Sequence, residues 1–313
     1  MTRQPITKLQ KIAATFPCVR QRLLPRRHLL AGPYVGEFGY ELLQWQGYVR
    51  ARRAHYESVH VLTYPGRDYL YEGCTVHYHD VDLRDAGYHY GWMAVAERKA
   101  MAAAFAEKIG LRDYDVFDTT LLCSRYHNML FWKQDLRLLR ETPLEGGLRD
   151  VAFHFRAINK EGPDQTRNYR QESALELVEL GRRAGWRMMC VGHPDYSFCP
   201  EGVEDQRKLD LRETVAAMCS VRLLAGELSG PFHLANLCGL PTAFFADGQW
   251  RIDNCLGWNP FRVPLYVIAN DTMQPPASQA FQKIQESLED LRQRTDGFTR
   301  PAFTTPAQKI SRI

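Results

Sequence analysis

No apolar run in these 313 residues approaches the roughly 20 residues that a membrane-spanning helix needs, and nothing near residue 1 reads as a cleavable signal. Eight cysteines (Cys18, Cys74, Cys123, Cys190, Cys199, Cys219, Cys238, Cys255) include no CxxC pair, which argues against a structural zinc site and a disulfide framework. Several of them, such as Cys190 and Cys219, lie inside apolar runs and read as small core residues. A reducing, cytoplasmic setting is expected. Acidic residues are missing from residues 1–36, which carry Arg3, Lys8, Lys11, Arg20, Arg22, Arg26 and Arg27. The rest of the chain then holds 33 basic residues against 36 acidic ones, so the net +4 is concentrated at one end. Residues 1–27 are expected to form a basic leader, either a solvated tail or a contact for a polyanion such as nucleic acid or the inner face of a membrane.

What is present is globular in kind. Hydrophobic residues make up 45% and charged residues 24%, and the length suits one large or two medium domains. Residues 221–245, VRLLAGELSGPFHLANLCGLPTAFF, organise the rest. They read as a strand (Arg222–Ala225), a tight turn, a helix opening at Pro231 and a second strand (Thr242–Phe245). Proline suits a first helical turn, Ser229 stands where an N-cap oxygen belongs, and Gly230 lets a ligand approach the backbone. A helix start at a strand end is a natural phosphate site, although an ordinary αβ turn has the same appearance.

The chain before this stretch opens with an apolar run, His28–Val35, the loop Gly36-Glu37-Phe38-Gly39, and a helical stretch from Tyr40 to Arg53. Strands are predicted at Ser58–Tyr64 and Cys74–Tyr78, with helices over 91–109 and near Met129–Leu139. Glu141–Leu148, with Pro143 and the pair Gly146-Gly147, marks a candidate linker. The second half alternates: strand Val151–Phe155, helix Glu172–Ala184, strand Arg187–Val191, helix Arg212–Cys219, the stretch above, strand Leu265–Ile268 and a closing helix from Pro276 to Arg294. This pattern predicts α/β architecture with two Rossmann-like lobes across a cleft, residues 28–145 and 146–313. Ligands in such sheets bind beyond the carboxyl ends of the strands. Five groups fall there: Gly36-Glu37, His154/Arg156 with Lys160, Gly192-His193-Pro194, Glu227 to His233, and Ala246-Asp247-Gly248.

These residues resemble a GT-B glycosyltransferase, most of all the ADP-heptose (lipopolysaccharide heptosyltransferase) family. That family carries Gly-Asp in the first loop, an Arg/Lys segment opening the second domain, Gly-Gly-Pro at a later strand end, and Asp-Ser/Thr-Gly-Pro-x-His-Leu-Ala at the donor site. Here stand Gly36-Glu37 with Gly39, then Arg156 and Lys160, then Gly192-His193-Pro194, then Ser229-Gly230-Pro231-Phe232-His233-Leu234-Ala235. The agreement covers residues 28–50 and 151–250. Leu228 occupies the family's Asp position, with Glu227 one residue earlier. His154-Phe155-Arg156 is also similar to the His-x-Arg of GT-B fucosyltransferases.

The resemblance implies inverting transfer of a sugar from a nucleotide sugar to the hydroxyl of a carbohydrate, glycolipid or other acceptor, without metal or other cofactor. Glu37 would be the general base. Arg156, Lys160, Ser229 and the backbone N–H groups after Gly230 would offset charge on the departing diphosphate; His154, His193, Glu227, Pro231 and His233 complete the donor set. Two rival functions stay open: a sugar-nucleotide epimerase or hydrolase on the same fold, and a non-catalytic protein that binds polysaccharide or nucleic acid. A metal site is the other alternative, suggested by Asp80-Val81-Asp82 with His77 and His79, although such triplets arise often by chance and Asp113-Tyr114-Asp115 is another.

Overall fold

The computed structural model describes residues 19–81, 95–118, 132–157, 167–208 and 210–294. The chain divides between Leu136 and Arg137 into two compact units. The first holds a four-stranded parallel sheet in the order β3-β2-β1-β4, built from β1 (His28–Ala31), β2 (Ser58–Thr63), β3 (Thr75–Tyr78) and β4 (Tyr114–Phe117). Helix α1 follows β1 in three contiguous pieces: Phe38–Tyr40 is α-helical, Glu41–Trp45 is π-helical and Gln46–Arg52 is α-helical. Its buried face is held by aromatic stacking, with Trp45 on Phe117 at 4.4 Å and the Arg52 guanidinium over the other face of the cluster, 3.9 Å from the Phe117 ring centre. Helix α2 (Val95–Lys108) packs Ala102 and Ala106 onto Leu30 of β1.

The second unit holds a larger parallel sheet in the order β11-β10-β9-β5-β6-β8. Its strands are β5 (Arg149–Arg156), β6 (Met188–Gly192), β8 (Glu204–Arg207), β9 (Val221–Glu227), β10 (Thr242–Ala246) and β11 (Leu265–Ala269). The two-residue strand β7 (Ser197–Phe198) pairs antiparallel with the end of β5. Central β5 and β10 are buried residue after residue, as strands covered on both faces must be. One face is covered by α3 (Gln171–Arg183) and α7 (Ala277–Gln293), which bring Ala174, Leu177, Val178, Ile284 and Leu288 onto Phe153, Leu223 and Phe245. The alternation of apolar positions every three or four residues in α3 and α7 puts those side chains on one stripe. On the other side Leu228, Phe232 of α5 (Gly230–Leu237) and Cys255 of α6 (Gln249–Gly257) cluster with Phe244 and Ala246. Helix α4 (Leu211–Cys219) is capped by Asp210, whose side chain accepts from Glu213 N at 3.0 Å.

Three expectations are corrected. Residues 132–139 form no helix, because their backbone and side-chain groups bond elsewhere: Asp135 N donates to Gly47 O, and Leu139 N to Leu237 O. Residues 137–147 strap onto the second unit, where Leu144 N donates to Ser220 Oγ at 2.6 Å and Arg212 pairs with Glu141 at 2.8 Å. The basic leader is part of the first unit from residue 19 onward. Arg20 pairs with buried Asp115, Arg26 Nη1 donates to Tyr114 O at 3.0 Å, Arg27 pairs with Glu57 at 2.5 Å, and Arg22 lies 5.2 Å from the Trp132 ring centre. Four of the seven cations counted on for a polyanion are thus engaged within the unit, while Arg3, Lys8 and Lys11 lie outside the described residues. No helix among the described residues is long and apolar enough to cross a membrane.

Candidate functional site

Strand order locates the site. In the second unit β5 leads to β6 on one side, and the chain later returns as β9 on the other, so the order reverses between β5 and β9. The crevice outside the carboxyl ends of those two strands is where an open α/β sheet takes its ligand. His154 and Arg156 end β5, and Glu227 ends β9 two residues before Ser229.

The two strands approach closely there, and glycine makes it possible. Gly226 has φ +139°, and a Cβ on it would lie 2.2 Å from His154 O. Gly192, with φ +130°, leaves room for the His154 ring, whose Nδ1 would be 2.8 Å from a Cβ at that position. His154 is buried and its Nδ1 donates to Val191 O at 3.1 Å. Burial lowers its pKa to about 4, against the raising effect of that hydrogen bond, so the ring is neutral at pH 7.

Arg156 is buried, with its Nη1 donating to Asn168 Oδ1 at 3.0 Å. Its backbone N–H donates to Glu227 Oε1 at 3.2 Å, and Tyr169 N donates to the same oxygen at 2.6 Å. One carboxylate oxygen therefore pins both described stems of the segment that leaves β5. The other oxygen, Glu227 Oε2, is buried and has no hydrogen-bond partner among the described residues. Burial raises the Glu227 pKa to about 8, the hydrogen bonds and the Arg156 charge acting the other way.

Helix α5 starts beside it. Ser229 occupies the N-cap with extended backbone but makes no capping bond, and its Oγ is buried without a partner among the described residues. Gly230 and Pro231 form the first turn. His233 is buried against the Trp258 ring at 5.0 Å, and its Nδ1 has no partner among the described residues. Burial, helped by the nearby Arg167 charge, lowers its pKa to about 3. One turn further, neither amide atom of buried Asn236 is paired among the described residues. Ser229, His233 and Asn236 fall on one stripe of the helix by spacing, and natural interiors seldom leave such groups unpaired.

His193 caps the single turn Pro194–Tyr196, accepting from Asp195 N at 3.2 Å, and its ring packs on Tyr196. Lys160 lies outside the described residues. Sequence reasoning missed Arg167, whose Nη2 donates to Leu228 O at 2.6 Å, together with Asn168, Tyr169 and Asn236. The density of polar residues in TRNYR, between the end of β5 and α3, was the available signal.

In the first unit Glu37 is half-buried and stands at the N-cap of α1, its backbone O accepting from Tyr34 Oη at 2.7 Å. Gly36 and Gly39 flank it and are buried. A second acid, Glu41, escaped notice. It is fully buried in the π-helical turn and accepts from Thr63 Oγ1 at 2.6 Å and Tyr71 Oη at 2.7 Å. Arg67 lies 3.8 Å from Glu41 and stacks on Phe38 at 3.7 Å, beside Glu37 in the chain. A charged residue at the head of the apolar run ELLQW was the clue.

The metal alternatives find other uses for their residues. Asp115 takes Arg20, Arg26 N and Tyr56 Oη. His77 stacks on His60, whereas His79 lies beyond β3 and reaches Tyr34 O at 2.8 Å. Asp82 lies outside the described residues. Among the described residues no group of three or more His, Cys, Asp or Glu side chains is placed to hold a metal ion.

No family model matches the sequence, and no curated protein matches it. Solved structures match its fold. The ADP-heptose lipopolysaccharide heptosyltransferase II of E. coli is 12% identical with a TM-score of 0.53, covering 85% of this chain and 99% of that one. The glycosyl transferase family 9 protein of Veillonella parvula is 11% identical, with a TM-score of 0.52 over 85% and 98%. E. coli heptosyltransferase WaaC with ADP is 13% identical, with a TM-score of 0.50 over 85% and 99%. An iron-containing dodecameric glycosyltransferase, TibC of enterotoxigenic E. coli, matches at a TM-score of 0.43, too low to carry an argument; this chain spans 57% of its length. At these identities the likeness shows the fold, the two-unit α/β architecture of GT-B glycosyltransferases.

Proposed function

We propose that this chain is a glycosyltransferase that moves a sugar from a nucleotide-sugar donor to an acceptor hydroxyl, with inversion at the transferred carbon. The observation that carries the reading is the β5/β9 switch point, where a helix start and three buried polar atoms without a partner among the described residues (Glu227 Oε2, Ser229 Oγ, His233 Nδ1) adjoin two guanidinium groups. Such atoms ask for a polar ligand, and the N-terminus of α5 favours an anionic one. The fold likeness to enzymes named as heptosyltransferases points to the same ligand class.

In the mechanism, the acceptor hydroxyl gives its proton to Glu37 as its oxygen bonds to the sugar's anomeric carbon and the bond to the diphosphate breaks. Charge growing on the diphosphate is met by Arg156, Lys160, the first N–H groups of α5 and the Ser229 hydroxyl. These groups serve without a metal. The acceptor is a carbohydrate, a glycolipid or another hydroxyl compound.

The test is a thermal-shift and calorimetry panel of ADP-, UDP-, GDP- and dTDP-sugars. One class is expected to raise the melting temperature, since ligand at 100 times its Kd adds about 2.7 kcal/mol to native-state stability. If no nucleotide sugar binds, the reading fails.

A further inference from the structure

The proposed donor site contains an acid where an anion is to bind, and its hydrogen bonding is lopsided. Glu227 Oε1 accepts two backbone N–H groups, from Arg156 at 3.2 Å and Tyr169 at 2.6 Å, while Oε2 is buried with none among the described residues. Leaving one oxygen of a buried ionised carboxylate bare is expensive, whereas a proton on that oxygen turns it into a donor. A donor at the mouth of the switch point needs an acceptor oxygen from a ligand.

We propose that Glu227 engages the diphosphate of a nucleotide as a neutral carboxylic acid, with Oε2–H giving a hydrogen bond to a phosphate oxygen. This rests on the donor-site reading above and adds to it the protonation state in which the site works. Every described neighbouring element supports it. From β5 and the segment after it come Arg156 and Tyr169; Arg167 is held on Leu228 O; His154 and His233 stay neutral; Phe245 of β10 lies opposite Glu227 in register. Arg156 and Arg167 are the cations of that set, and both favour an arriving anion. An ionised Glu227 would oppose it by direct repulsion. Burial holds Glu227 protonated to about pH 8 in the free protein.

A diphosphate that binds only the neutral acid must lose affinity as the acid ionises. The linkage is one proton: Kd rises about tenfold per pH unit above the free-protein pKa, and binding there takes up close to one proton per ligand. Titration calorimetry of the full chain with ADP, UDP, GDP and dTDP, from pH 7.5 to 9.5, reads both quantities. At these pH values the diphosphate is close to fully ionised, but the uracil, guanine and thymine bases begin to lose an N–H proton toward pH 9.5, so the slope is read with ADP and, for UDP, GDP and dTDP, as the difference from Glu227→Gln. Repeating each titration in two buffers of different ionisation heat gives the proton uptake on the wild-type protein without any variant. Glu227→Gln keeps the acceptor for the two N–H groups and a donor for the phosphate. It is expected to show a flat pH profile and no proton uptake with ADP, whatever its affinity at pH 7.5.

Wild-type binding that is flat across the range, or without proton uptake, overturns the neutral-acid proposal and leaves the donor site standing. A Glu227→Gln protein that keeps the wild-type slope overturns it as well, by assigning the proton elsewhere. Absence of nucleotide binding at pH 7.5 by wild type overturns both this proposal and the donor-site reading.

Discussion

Glu227 and two of the buried histidines, His154 and His233, make opposing contributions to stability, which a single substitution should separate. His154 and His233 have pKa values of about 4 and about 3, below the unfolded 6.5, so on acidification the unfolded chain takes up their protons first. Stability is therefore lost as pH falls below about 6.5, by about 2 kcal/mol for each ring between pH 7.5 and pH 5. Glu227 behaves oppositely. Its folded pKa of about 8 lies above the unfolded 4.5, so its contribution is full below the unfolded value and is lost as pH rises through the folded one. Over the same acidification it returns about 3 kcal/mol. In the wild type these three groups together lose only about 1 kcal/mol. Glu227→Gln removes the carboxyl's titration and exposes the histidines, so the variant should lose about 3 kcal/mol more than wild type between pH 7.5 and pH 5. Urea denaturation of both proteins at the two pH values measures the double difference, in which all other titrating groups drop out. A difference under about 1 kcal/mol, the error of the extrapolation, would refute a neutral Glu227 in the free protein.

Other expectations follow from the same contacts. Gly226→Ala drives a Cβ into His154 O, where 2.2 Å separates them, at a φ that alanine disfavours; a loss of about 3 kcal/mol or more is expected by denaturation. An alanine variant as stable as wild type would contradict the close β5–β9 approach. Arg149 makes two bonds to Glu204, at 2.9 and 2.8 Å, and two to the carbonyls of Glu145 and Gly147. Arg149→Met should cost about 2 kcal/mol, and a silent change would show that the 145–149 turn is held by other means. Glu37→Gln is expected to lower kcat by about a hundredfold with donor affinity nearly unchanged; unaltered turnover removes Glu37 from the mechanism. Transfer should persist in EDTA, and loss reversed by a divalent cation would point to a metal in the reaction.

Most of the alternation follows from local side-chain chemistry. Strands rich in Val, Leu, Ile and Phe between amphipathic helices such as 172–184 and 276–294 carry their periodicity in local side-chain chemistry, and the structure shows them within a few residues of those bounds. Elements lacking that signal were invisible. β8 is EDQR, a polar edge strand with only one neighbour, and β4 is YDVF, whose buried Asp115 is intelligible only once Arg20 is placed against it. The helix near Met129–Leu139 failed in its described part because propensity is overridden when backbone donors find partners in distant elements, as Leu139 does at Leu237. The position of the Ser-Gly-Pro helix start was legible from its turn chemistry. Strand order was not, since it depends on which edges meet in space, and only that order put Arg156 beside Glu227 and made the β5/β9 crevice a switch point. The same holds for protonation: an isolated Glu227 is an ordinary carboxylate, and burial at a strand end, with one oxygen satisfied and the other bare, makes it an acid that keeps its proton.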